Sequence, residues 1–195
     1  MSPYGNPLDS PKSENGGAER MLDDLLSLFA TNYDLTWHEL VPESLVPEPY
    51  HRLLCHPHHM TVALEAFLQT TVAVTVWNRR QTGSEYARKI VLTPVGESRV
   101  VLFGIVTIDL TLVPPEVARN IVAEQTPLGR VLLEAGVLTT VEPVEYVKVS
   151  LGPDLAQAMQ VEYGTTTFGR TGRITANGHP AIRVLEILAP LPPVV

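Results

Sequence analysis

The sequence predicts an α+β domain built on antiparallel strands, and three observations carry that reading. Three β-prone runs follow one another through short turns between residues 70 and 112, a meander and not a strand–helix–strand alternation. Asn177-Gly178 lies between two further β-prone runs, and that pair tolerates the positive φ values a two-residue hairpin turn needs. Helical spacing of apolar residues is confined to short segments outside those runs. The chain has 195 residues, 45% of them apolar and 18% charged, enough for one domain with a sizeable core.

Residues 1–18, rich in Pro, Gly and polar side chains, read as a disordered leader, and residues 19–195 as the domain. Glu19 to Asn32 places Met21, Leu22, Leu25, Leu26 and Phe29 on one helical face that docks on the core. Thr36 to Pro49, broken by Pro42, Pro47 and Pro49, reads as irregular. A helix starts between Pro57 and Met60, with Met60, Ala63, Leu64 and Phe67 on one side. Thr70–Arg79, Tyr86–Thr93 and Arg99–Leu112 are the meander strands, and Gly104 inside the third marks a bulge or a close approach of ligand or backbone. Pro114 to Glu124 is a helix opened by proline and an early acid. A second follows, capped by Thr126, started by Pro127 and ended by Gly136. Val141–Val149 is a strand with Glu145 and Lys148 toward water, and Asp154–Met159 is a helical turn. The hairpin about Asn177 closes the fold.

A net charge of −7 with no dense Lys/Arg face argues against nucleic acid as a partner. A single cysteine, Cys55, excludes an internal disulfide framework and a multi-thiolate metal site. No apolar run reaches membrane-spanning length and no signal peptide is visible, so a cytoplasmic chain with no membrane partner is expected. His51, His56, His58 and His59 invite a metal reading, but neither helical metal spacing is present. No metal is assigned, and a solvated helix start with one histidine near a pocket mouth is expected. Glu186 stands apart: Val184, Leu185, Ile187 and Leu188 surround it in a run that looks buried on both faces. A carboxyl there needs a cationic or hydrogen-bonding partner or stays protonated, which makes it a candidate site residue.

Several ordered pieces together resemble the chorismate pyruvate-lyase family. They are His59-Met60-Thr61, Thr71 to Thr75, Arg88 to Leu92, Thr126-Pro127-Leu128-Gly129-Arg130, Phe168-Gly169-Arg170, Gly178-His179-Pro180 and Leu185 to Pro190. The resemblance implies a six-stranded antiparallel sheet with flanking helices, holding an aromatic acid in a closed pocket under two helical flaps. It implies a carbon–oxygen lyase that eliminates pyruvate from chorismate to give 4-hydroxybenzoate, for quinone (ubiquinone) biosynthesis or another aromatic product. No cofactor is implied, and a monomer or weak dimer is expected. Arg88 and Glu186 match the catalytic pair, Arg88 on the ring carboxylate and Glu186 at the opposite oxygen. Met60, Gly104 and Leu128 complete the substrate-binding set. Ile105 departs from the family, which has arginine there, and the stretch Gly164 to Thr167 is longer. Two other readings stand beside this one. One is a non-catalytic, UTRA-like module that binds a small carboxylate, as in regulator domains sharing the fold. The other is a lyase relative acting on another chorismate-like substrate.

Overall fold

A computed structural model describes residues 20–31 and 33–191; the expected leader lies outside them. The fold is α+β. Seven antiparallel strands, β1 (Leu35–Val41), β2 (Val72–Thr82), β3 (Glu85–Pro94), β4 (Leu102–Asp109), β5 (Thr139–Leu151), β6 (Thr166–Ala176) and β7 (His179–Leu188), form one sheet in the order β1-β5-β6-β7-β4-β3-β2. Six short helices flank it: α1 (Met21–Ser27), α2 (Tyr50–Leu54), α3 (Met60–Leu68), α4 (Pro115–Val122), α5 (Leu128–Glu134) and α6 (Pro153–Met159). Among the described residues, no helix is long and apolar enough to cross a membrane.

Alternation along the central strands divides the core in two. Phe103, Ile105, Leu185 and Ile187 face α1 and α6 on one side. Leu102, Ile108, Val184 and Leu188 face α2 to α5 on the other. β7 lies between β6 and β4 and is covered on both faces, which is why its sequence reads as an almost continuous apolar run. Asn177 (φ 50°) and Gly178 (φ 84°) make the β6–β7 turn in the left-handed region.

Four local expectations are corrected. The sheet has a seventh strand, β1, inside the stretch read as irregular. It is an edge strand paired only to β5, with one buried residue in seven, so it shows no apolar alternation, and the prolines that disguised it all follow its end. Residues 50–54 form the separate helix α2, docked through Tyr50, Leu53 and Leu54. Thr126 does not cap α5: Pro127 is the N-cap residue, and no side chain caps it. Glu145 does not face water. Its Oε2 accepts hydrogen bonds from the Leu22 amide and the Thr171 hydroxyl, both at 3.0 Å, tying α1 to the sheet.

Candidate functional site

A small cavity of about 50 Å3 lies between the α2–α5 face of the sheet and the N-terminal ends of α3 and α5. Met60, Arg88, Gly104, Leu128 and Glu186, the five residues singled out from the sequence, all line it. The register explains why. Ile90, Gly104, Glu186 and Arg170 are successive partners across β3, β4, β7 and β6, so they form one row on one face. Arg88 lies in the next row, opposite Val106. Two strand spacings and a two-residue offset put the Cα atoms of Arg88 and Glu186 about 12 Å apart, with Gly104 on the floor between them. A Cβ on Gly104 would sit 3.2 Å from the Leu185 carbonyl oxygen and 3.3 Å from Ile90 Cδ1, inside the space the cavity now holds open.

Arg88 is a buried cation with little protein company. It is 1% exposed. Its Nη1 donates a long hydrogen bond, 3.4 Å, to the Ile121 carbonyl, and its buried Nε has no partner. No carboxylate pairs with it among the described residues; Glu186 pairs with Arg170 instead. Burial lowers the pKa of Arg88, against the pull of Tyr86 and Glu124. Tyr86 donates a short hydrogen bond to Glu124 Oε1, and burial followed by that bond pushes the phenol up to about 12. Leaving a guanidinium nitrogen unmatched in the interior costs free energy. An anion entering the cavity would remove that cost.

Glu186 has a partner that the sequence did not point to. Arg170, also 1% exposed, donates from Nε to Glu186 Oε2 at 2.8 Å. Its Nη1 bonds the carbonyls of Leu54 (2.9 Å) and His56 (2.8 Å), and its Nη2 that of His58 (3.1 Å). One side chain therefore orients the carboxylate and pins the α2–α3 loop over the cavity edge. The family motif Phe168-Gly169-Arg170 was the available signal. Gly169 is needed beside it, because a Cβ there would lie 2.5 Å from the Glu186 carbonyl oxygen.

The roof is held by close helix approach. A Cβ on Gly129 would meet His59 Cβ at 3.1 Å and Thr61 Oγ1 at 3.2 Å, so glycine lets α5 settle on the start of α3. Arg130 of α5 forms an ion pair with Glu65 of α3, whose Oε1 also accepts from the Val72 amide at 2.9 Å. His59 is the histidine nearest the cavity. It is buried, its Nε2 lies 2.8 Å from Thr139 Oγ1, and burial lowers its pKa. Ile105, where the family has arginine, points to the other face of the sheet, into the core under α1.

Sheet and cavity together define a chorismate lyase/UTRA-like fold enclosing a small-molecule pocket. No protein-family profile matches the chain, and no curated protein does. Among solved structures it is similar to the effector domain of PhnF from Mycobacterium smegmatis, with a TM-score of 0.50 and 11% identity, covering 68% of this chain and 88% of that one. It also resembles the C-terminal domain of the histidine utilization repressor from Pseudomonas syringae pv. tomato (TM-score 0.40, 11% identity, 64% and 98% covered). A third likeness is to the possible transcriptional regulator YydK from Bacillus subtilis (TM-score 0.42, 12% identity, 60% of this chain covered). The match spans 57% of the length of YydK. As a correction to the expected carbon–oxygen lyase, the likeness is to an effector domain and not to a lyase, and at 11% identity it speaks for the fold alone. Chorismate turnover and a quinone-pathway product gain no support from these likenesses. Within the site, the carboxyl expected to act on a departing oxygen accepts from Arg170 Nε through its Oε2.

Proposed function

We propose that this chain is a non-catalytic, UTRA-like module that binds a small carboxylate in the cavity between the sheet and α3/α5. The observation that carries the reading is Arg88, a fully buried guanidinium with an unpartnered Nε in a mostly apolar pocket. A carboxylate matches that planar donor set, and its charge replaces what the protein leaves out. Met60, Leu128 and the bare floor at Gly104 give a flat apolar body somewhere to lie. Glu186, steered by Arg170, offers an acceptor to a hydroxyl at the far end.

Differential scanning calorimetry with 4-hydroxybenzoate and its uncharged amide tests this. The acid raises the unfolding temperature, by the equivalent of about 2.7 kcal/mol at 100 times its Kd, and the amide does not. Arg88→Met, which gives up only one long hydrogen bond in the empty protein, folds and loses at least about tenfold in affinity for the acid. Chorismate incubated with the protein releases no pyruvate. Equal binding of acid and amide, or undiminished binding by Arg88→Met, refutes the anchoring role. Pyruvate release refutes the non-catalytic reading.

A further inference from the structure

Away from the cavity, α2 and the turn before it collect a second set of donors. His51 and Cys55 are four residues apart, one helical turn, so their side chains leave the same face. The 3-10 turn Glu43–Leu45 brings Glu43 against them. His51 Nε2 lies 3.6 Å from Glu43 Oε1. The imidazole, thiol and carboxylate ligand atoms all lie within 4.8 Å of one another. The other ring nitrogen, His51 Nδ1, faces Glu48 Oε1 at 3.9 Å.

We propose that Glu43, His51 and Cys55 form a binding site for one divalent cation of zinc type. A thiolate, an imidazole and a carboxylate are the donors zinc takes, whereas calcium and magnesium take oxygen alone. Metal–ligand bonds of about 2.0–2.3 Å at tetrahedral angles require ligand atoms about 3.3–3.6 Å apart. The nitrogen–oxygen pair already has that spacing, and the sulfur needs to move by little more than about 1 Å. Glu48 is placed for the outer position: a side-chain shift of about 1 Å would bring its carboxylate from 3.9 Å to hydrogen-bond distance of the second imidazole nitrogen, where it would fix the ring's tautomer and orientation. The Tyr146 hydroxyl donates to the free oxygen of Glu43, Oε2, at 3.4 Å and steadies it. Three protein ligands leave a fourth position for water or a solute. The site adjoins the carbonyls of Leu54 and His56 that Arg170 holds, so a bound cation would fix the far side of the same loop.

Cobalt titration of the full chain after chelator treatment tests this. One Co2+ binds per chain with a thiolate-to-cobalt charge-transfer band in the near ultraviolet, and equimolar Zn2+ removes the band. Cys55→Ser abolishes it. Glu43→Gln, at an exposed position that keeps the fold by circular dichroism, weakens Co2+ binding at least about tenfold, and Glu48→Gln weakens it about tenfold. A missing charge-transfer band overturns the proposal. So does a band that survives Cys55→Ser, or a Glu43→Gln variant that binds Co2+ as tightly as the parent chain.

Discussion

Replacing Arg170 with methionine should be the most damaging single change at the site that leaves its shape nearly intact. The change removes one buried cation and four hydrogen bonds. Among the described residues Glu186 has no other hydrogen-bond donor, so its carboxylate would be left without a partner beside an apolar cavity. Breaking a buried pair from one side costs about 3–5 kcal/mol. The freed carbonyls of His56 and His58 lie on a partly exposed loop and recover water, whereas that of Leu54 is buried, so the total should reach about 5–6 kcal/mol. With a urea dependence of about 2–3 kcal/mol per molar for a chain of this size, the unfolding midpoint should fall by about 2 M. Glu186→Met should cost clearly less, because Arg170 keeps three carbonyl acceptors. The double variant should recover about 2 kcal/mol relative to the sum of the two single changes, the signature of a coupled pair. Urea unfolding followed by circular dichroism measures all three. A loss under about 1 kcal/mol for Arg170→Met, or strict additivity in the double variant, would refute the view that this pair organises the site.

Two glycines on the strands that flank β7 should respond differently to alanine. Gly104→Ala meets a flexible Ile90 terminus and one carbonyl at 3.2 Å, so folding should change by no more than about 1 kcal/mol while 4-hydroxybenzoate binding weakens. Gly169→Ala puts a methyl 2.5 Å from a backbone oxygen and should cost at least about 2 kcal/mol; equal melting temperatures for the two variants would contradict the geometry. His59 gives a pH dependence of defined sign. Burial lowers its folded-state pKa below the ordinary 6.5, so the unfolded chain takes up the proton first as pH falls. Its stabilising contribution is complete above about pH 6.5 and is lost as pH drops from there toward the folded value. Urea midpoints taken between about pH 7.5 and 5.5 should fall less steeply in His59→Gln than in the parent chain, and parallel slopes would exclude His59 as the source.

A buried face or a run of β-branched residues announces a strand in sequence, and so β2 to β7 were legible, as was the positive-φ pair at their last turn. β1 was not, because only one of its seven residues is buried and it lacks the β-branched run that marks β2, the other edge strand. Glu186 stood out from its apolar neighbours, and the other four cavity residues came from motif resemblance; periodicity alone would have read Met60 as helix packing and Gly104 as a bulge. The partner of Glu186 shows how a single residue defeats counting. From a two-residue turn at Asn177-Gly178, regular pairing places Leu185 opposite Arg170. A register shift between Ile174 and Thr175 moves the pairing by one and brings Glu186 there instead. The residues of an anion pocket can be recognised one by one, whereas the hydrogen bond that orients the carboxylate depends on that shift.

The two outer strands bear on how the molecule behaves in a crowded solution. Each border of an open sheet offers unused amide and carbonyl groups to any extended chain that drifts past. Here β1 has an irregularity between Leu35 and Trp37, and β2 has one between Val76 and Asn78, so neither rim is straight. Beyond its irregularity β2 is lined by exposed Asn78, Arg79, Arg80 and Gln81, a cationic fringe that meets its own likeness with repulsion. Two molecules approaching rim to rim must first overcome that charge, and added salt relaxes the barrier.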